Sequence, residues 1–201
     1  MAKKAPSTLL NMFLSLTLIT VVAGAALALV SGVTEEPIAQ AKKNKKEAAL
    51  QAVVPGFDRI EAQSLPVSAD DKARTGLKAD SLVCYFAYAA DNQPMGVAVE
   101  TASENGYGGH LGIMVGFDVD GNILGYQVLE TSETPGLGAK AGEWFQKGNK
   151  GDVIGKTPGT SGLSVKKDGG EVDAISGSTI TSRAFCAAVS IAYNTAFQKG
   201  E

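Results

Sequence analysis

Leu111-Gly112-Ile113-Met114-Val115-Gly116-Phe117-Asp118-Val119-Asp120-Gly121-Asn122-Ile123-Leu124-Gly125-Tyr126-Gln127-Val128-Leu129-Glu130 reads as two strands around a turn. Leu111, Ile113, Val115, Phe117 and Val119 recur at every second position, a period of two that puts one face of a strand on a core. Asp120-Gly121 is a favoured two-residue hairpin pair. The returning strand, Asn122 to Glu130, places Leu124, Tyr126 and Val128 on one side.

Outward from this hairpin the same grammar repeats. Leu82 to Ala89 is apolar at both alternating sets of positions, as a central strand would be. Asp91-Asn92-Gln93-Pro94 is turn chemistry, and Met95 to Glu100 reads as the return. A further hairpin is expected around Asp168-Gly169-Gly170, its second strand running from Glu171 to Ile175. Helical patterns occupy Glu35 to Val53, Ala139 to Lys147 and Ile180 to Phe197. Hairpins with helices at both ends of the domain predict an α+β fold with a mostly antiparallel sheet. Residues 57–80 are mixed, broken by Pro66 and Gly76, and suggest no function.

The front of the chain has a different composition. No charged residue occurs from Ala5 to Thr34. Leu9 to Val30, as a helix, would be about 33 Å long, enough to span a bilayer. Lys3 and Lys4 precede it and Glu35 and Glu36 follow, so the positive-inside bias predicts a cytoplasmic N-terminus and an exported main domain. Lys42, Lys43, Lys45 and Lys46 work against that orientation, being close enough to be counted. A cleaved signal peptide ending near Ala26-Leu27-Ala28 is the alternative, but its apolar core is usually only about 7–15 residues. The expected organisation is an anchor over 1–33, a helical or irregular connection over 34–80, and one domain over 81–201.

Composition excludes several classes. The net charge of -3 over 201 residues lacks the clustered basic excess of a nucleic-acid surface. One histidine, His110, leaves no multi-histidine metal site and no Ser/His/Asp arrangement to argue. Cys84 and Cys186 sit in apolar runs and read as buried thiols, with a disulfide as the alternative. Gly136-Leu137-Gly138-Ala139-Lys140-Ala141 fits a dinucleotide pattern, but Pro135 disfavours a strand running into it and no βαβ unit surrounds it. Gly155-Lys156-Thr157 lacks the first glycine of a P-loop, since Lys150 stands at that position.

Two loops remain. Asp173-Ala174-Ile175-Ser176-Gly177-Ser178-Thr179 leads into the last helix, where Ser176, Ser178 and Thr179 are all able to cap it. Such a helix start, with Gly177 beside it, suits an anion. Glu133-Thr134-Pro135-Gly136-Leu137-Gly138 is an irregular loop whose backbone a ligand can approach closely. By local chemistry alone, the first is a capped helix and the second a connection.

Together, and in this order, the two loops resemble a known family: the FMN-binding subunits of two membrane complexes. These are the G subunit of the Rnf ferredoxin:NAD oxidoreductase and the C subunit of the sodium-pumping NADH:quinone oxidoreductase. The likeness runs over about residues 104–186, including the Gly106-Tyr107-Gly108-Gly109 loop and the Asp-Gly hairpin. It implies covalent FMN, joined through its phosphate to the Thr179 hydroxyl by a flavin transferase, with Asp173 serving transferase recognition. The family usually has Ala where this chain has Ser178, which places a second hydroxyl beside the attachment point; Thr181 is the alternative acceptor. It further implies cofactor contacts from Ser176, Gly177, Ser178, Thr181, Glu133, Thr134, Gly136, Leu137 and Gly138.

The resulting expectation is a single-pass inner-membrane protein with a periplasmic or extracytoplasmic domain. It would pass electrons among the membrane and redox subunits of an ion-translocating complex, without complete activity alone. With one span and no charge in it, the chain has no ion path of its own. Alternatives are the C-type subunit of the quinone-linked complex, an exported non-redox binding module, a flavin-dependent reductase of a soluble substrate, and a purely structural subunit.

Overall fold

The computed structural model describes residues 8–161 and 163–197. The chain divides into two compact units, residues 1–45 and 46–201. Helix α1 runs Leu9–Val53 without interruption, with Pro37 inside it. Pro37 removes one backbone donor from the helical ladder. In the first unit the large apolar side chains from Leu9 to Val33 are exposed. Among the described residues α1 is the one helix long and apolar enough to cross a membrane.

The second unit is built on five strands: β1 (Arg59–Pro66), β2 (Ser81–Tyr88), β3 (Pro94–Ser103), β4 (Leu111–Asp118) and β5 (Ile123–Thr131). They pair in sequence order as an antiparallel meander. The short helix α2 (Ala69–Thr75) links β1 to β2, and α3 (Ala141–Trp144), α4 (Pro158–Ser161) and α5 (Thr179–Phe197) follow β5. The fold is α+β, as expected. The sheet also takes in residues 59–66 from the segment expected to connect. That strand was illegible because it lies at the edge with only Ile60 and Leu65 half-buried, so no apolar alternation marks it.

β4 is buried on both faces. On one, Leu111, Ile113, Val115 and Phe117 pack with Val97, Val99 and Tyr126 against Phe185, Val189 and Ile191 of α5. On the other, Met114, Ala98 and Leu129 meet Ala49 and Val53 from the end of α1 and Val54 just beyond it. Gly116 makes that second contact possible. A Cβ there would lie 2.6 Å from the Val53 carbonyl carbon and nearer still to its oxygen. Lys46 and Glu100 pair at 2.7 Å across the same contact.

Three details differ from the expectation. The β4–β5 turn is a three-residue loop, not two. Asp118 N–H bonds Asn122 O at 3.0 Å, and Gly121, at φ +83°, closes the turn on Asp118 O. Asp118 Oδ1 also accepts from the N–H groups of Asp120 and Asn122, which is what favours the longer loop. That loop leaves Val119 exposed, and a register shift at Gly116/Phe117 pairs Phe117 with Ile123. Ile123 therefore enters the core while Leu124 faces outward. The expected hairpin at residues 168–170 is instead a 3-10 turn, Lys166–Asp168, ended by Gly169 in the left-handed region. A single parallel bridge, Val165 to Val172, clips its base, and residues 173–175 form no strand. The helix expected at 139–147 is a 3-10 turn, Gly138–Lys140, followed by the single turn of α3.

Candidate cofactor-attachment site at the start of α5

Asp173 to Ser178 is pinned at both ends. Trp144 Nε1–H donates to Asp173 O at 2.8 Å, and Lys166 Nζ pairs with Asp173 Oδ2 at 2.8 Å. Ser178 N–H then bonds Ile175 O at 2.9 Å. Gly177 holds φ +77°, a conformation an L side chain strains to adopt. The bonds that close this turn come from Ser182, a residue that nothing in the sequence pattern marks. Its Oγ donates to Ser178 O and accepts from Ile175 N–H, both at 2.9 Å.

Ser178 O accepts the first helical bond, from Ser182 N–H at 3.1 Å, so Ser178 occupies the cap position and Thr179 is the first residue of α5. Ser178 is buried, Ser176 and Gly177 are exposed, and Thr179 is half-buried. The Thr179 hydroxyl is on the accessible side, where Lys167 Nζ donates to it at 3.3 Å. Thr181 points the other way and is fully buried. As an acceptor for an external group, Thr179 has the access that Thr181 lacks.

The second loop comes directly against this turn. Gly136 is at φ +79°. Leu137 and Ala139 both donate their N–H groups to Thr134 O at 3.2 Å, which curls the loop so that Leu137 is exposed at its tip. The Leu137 Cδ2 would touch a Cβ on Gly177 at 3.5 Å. Gly138 is packed between Glu133 and Thr181. A Cβ there would be 2.7 Å from Thr181 Oγ1 and 2.8 Å from Glu133 Cδ, with Oε2 nearer still.

Glu133 joins a third loop to these two. Its side chain is only 6% exposed, and Oε2 accepts the Gly108 N–H at 3.2 Å. A Cβ on Gly106 would lie 2.5 Å from Oε1. Gly106 and Gly109 bond each other's backbone at 3.1 Å, which projects Tyr107 to solvent at 73% exposure. Tyr126, behind the site, donates its hydroxyl to Ala141 O at 2.6 Å and accepts from Phe145 N–H at 3.2 Å, so α3 holds the far end of the 133–138 loop to β5.

Two buried polar atoms at this junction have no partner among the described residues: Glu133 Oε1 and Thr181 Oγ1. Unpaired buried groups of this kind each cost about 1–3 kcal/mol. Beside them, Leu137 and Ile180 remain 45% and 46% exposed. Exposed apolar side chains beside a helix N-terminus suit a ligand with a flat ring and a phosphate. FMN has both parts, and the residues present fit it.

The FMN-binding domain family matches residues 106–194. The chain is 34% identical over 176 residues to the G subunit of the ion-translocating oxidoreductase complex of Shewanella amazonensis, covering 83% of this chain and 78% of that protein. It is 37% identical over 169 residues to the corresponding G subunit of Yersinia pestis, covering 81% and 78%. The G subunit of the Na(+)-translocating ferredoxin:NAD(+) oxidoreductase complex of Acetobacterium woodii is 31% identical over 185 residues, covering 89% and 86%. Among solved structures, NqrC of Shewanella oneidensis aligns with a TM-score of 0.47 at 22% identity, over 65% of this chain and 63% of that one.

Proposed function

The chain belongs to the family of ion-translocating oxidoreductase complex G subunits, with an FMN-binding domain, and on that premise we propose that it is a membrane-anchored electron-transfer subunit carrying FMN as a phosphoester on Thr179. The observation that carries this reading is the meeting of two loops distant in sequence, Leu137 against Gly177 and Gly138 against Thr181. FMN, when bound, supplies the redox chemistry, and the protein supplies position and electrostatics.

Each residue has a separate task. Thr179 offers an accessible hydroxyl, and the first turn of α5 faces the phosphate with N–H groups and the positive end of its dipole. Gly177 and Gly136, both at positive φ, let the backbones of the two loops turn sharply. Leu137 and Ile180 give the ring an apolar surface. Glu133, Thr134, Gly138, Ser176 and Ser178 complete the wall, Thr181 backs it from the buried side, and Asp173 serves recognition by the flavin transferase. A covalent link keeps an exported carrier from losing its cofactor to dilution.

α1 anchors the subunit as a single span in the inner membrane, with the N-terminus cytoplasmic and the sheet-bearing domain outside. Its partners are the other membrane and redox subunits of the complex, and the transferase during maturation. No charged residue lies between Ala5 and Thr34, so ion movement is carried by those partners.

Absorbance of the denatured, washed protein tests the reading. Flavin colour should survive denaturation when the transferase is co-expressed, and Thr179→Ala should abolish it. A colourless parent protein, with Thr179→Ala silent in stability because Ser178 holds the cap position, would instead fit an exported non-redox binding module.

A further inference from the structure

The 3-10 turn Lys166–Asp168 is held against the start of α5 by more than its own backbone. Asp168 accepts a two-pronged bond from Arg183, Nε to Oδ2 and Nη2 to Oδ1, both at 2.7 Å. Gly169, at φ +84°, ends the turn, and Lys166 N–H bonds Val172 O at 2.9 Å. This tether aims the next side chain, Lys167, at α5, where its ammonium reaches Thr179 Oγ1 at 3.3 Å.

The charges around Thr179 are nearly all matched. Lys166 is paired with Asp173 at 2.8 Å, Arg183 with Asp168, and Lys156 with Glu171 at 3.3 Å. Lys166, Lys167 and Arg183 against Asp168 and Asp173 leave three positive and two negative charges, a surplus of one. Among the described residues, Lys167 is the cation of this group with no carboxylate in ion-pair reach. Its one described polar contact is the Thr179 hydroxyl.

We propose that Lys167 is the counter-ion of the phosphate joined to Thr179, a role that rests on the reading of Thr179 as the attachment residue. A phosphate esterified on both sides keeps one ionisable oxygen and carries a single negative charge, equal to the local surplus. The ammonium already contacts the atom that becomes the ester oxygen, so the unesterified oxygens fall within its reach. The requirement is a positive charge on a flexible stem, which either lysine or arginine supplies to a phosphate. Lys167 is exposed, and Asp168, not Lys167, ties the turn to α5. In the unloaded protein its described interactions are the Thr179 bond and a minor electrostatic effect on Asp168.

The test is a cycle between the side chain at 167 and the presence of the flavin. The full chain is purified in detergent from cells with and without the transferase, as the parent, K167Q and K167R. Intact mass records loading, and urea unfolding records stability. Loading should favour the folded state about fivefold more in the parent than in K167Q, equivalent to about 1 kcal/mol, with K167R close to the parent. High salt should shrink the difference, and the unloaded proteins should match. Failure of K167Q alone to load, with K167R loading normally, would also support the charge requirement. Equal effects of loading in the parent and K167Q would overturn the proposal, as would K167R behaving like K167Q. A parent protein without an adduct on Thr179 would show in the mass first, and would sink the attachment reading itself.

Discussion

Gly138→Ala places one methyl group where three elements of the site converge. The added Cβ would lie 2.7 Å from Thr181 Oγ1 and 2.8 Å from Glu133 Cδ, and closer still to Glu133 Oε2. Thr181 is on the first turn of α5 and fully buried, so it cannot step aside. Glu133 can move only by breaking its bond with Gly108 N–H inside a packed region. Overpacking costs about 1–3 kcal/mol, and leaving a buried carboxylate with a weakened partner adds about 1–2 kcal/mol. The expected loss is about 3 kcal/mol. For a domain whose urea dependence is about 2 kcal/mol per molar, that is about 1.5 M in midpoint. Urea unfolding of the full chain in detergent can be followed by its single tryptophan, Trp144, whose indole is bonded to Asp173 O beside the site. Gly142→Ala is the control. Its Cβ would meet only Val128 Cγ2, at 3.9 Å, and alanine in α3 should stabilise by up to about 1 kcal/mol. A Gly138→Ala midpoint within about 0.5 kcal/mol of the parent would refute the claim that the three loops are locked together through Glu133.

Gly116→Ala should cost about 2–3 kcal/mol in the same assay, because its Cβ would press on the Val53 backbone; Gly125→Ala, whose nearest contact would be 3.5 Å, should cost clearly less. Arg183 beside Asp168 holds its carboxyl below the ordinary 3.8. The pair therefore stabilises fully above pH 3.8 and loses its contribution as pH falls through the lower folded value. The stability gap between parent and Arg183→Gln should be constant at neutral pH and close under acid; a gap that widens in acid would contradict the assignment. Burial pushes the Cys84 thiol up to about 11 and Cys186 up to about 12. Neither should react with a thiol reagent at pH 8 until urea unfolds the domain, and rapid native labelling of either would place it outside the core.

The meander and the last helix were legible because their apolar spacing is strong. Leu111 to Phe117 and Ile180 to Phe197 each repeat it over several turns or pleats. What escaped is governed by backbone detail. The Asp118 carboxylate selects the longer loop between β4 and β5, and a bulge then exchanges Ile123 for Leu124 in the core. The edge strand β1 carries almost no apolar signal. At the site, the two loops were marked by their residue types, but their meeting is a tertiary fact. Ser182 reads as an ordinary polar helix residue until its hydroxyl is seen closing the turn. Lys167 reads as one of many surface lysines until a 3-10 turn replaces the expected hairpin and aims it at Thr179. Pro37, a helix breaker by local rules, sits inside α1, where a long flanking ladder tolerates one lost donor.

Peptide mapping addresses the central claim most directly. Cleavage after Lys167 and Arg183 releases Asp168 to Arg183 as one peptide, containing Ser176, Ser178, Thr179, Thr181 and Ser182. From protein made with the transferase, this peptide should carry the added mass of FMN less water, and fragmentation should place it on Thr179. An unmodified peptide, or an adduct on Thr181 or Ser178, would contradict the account.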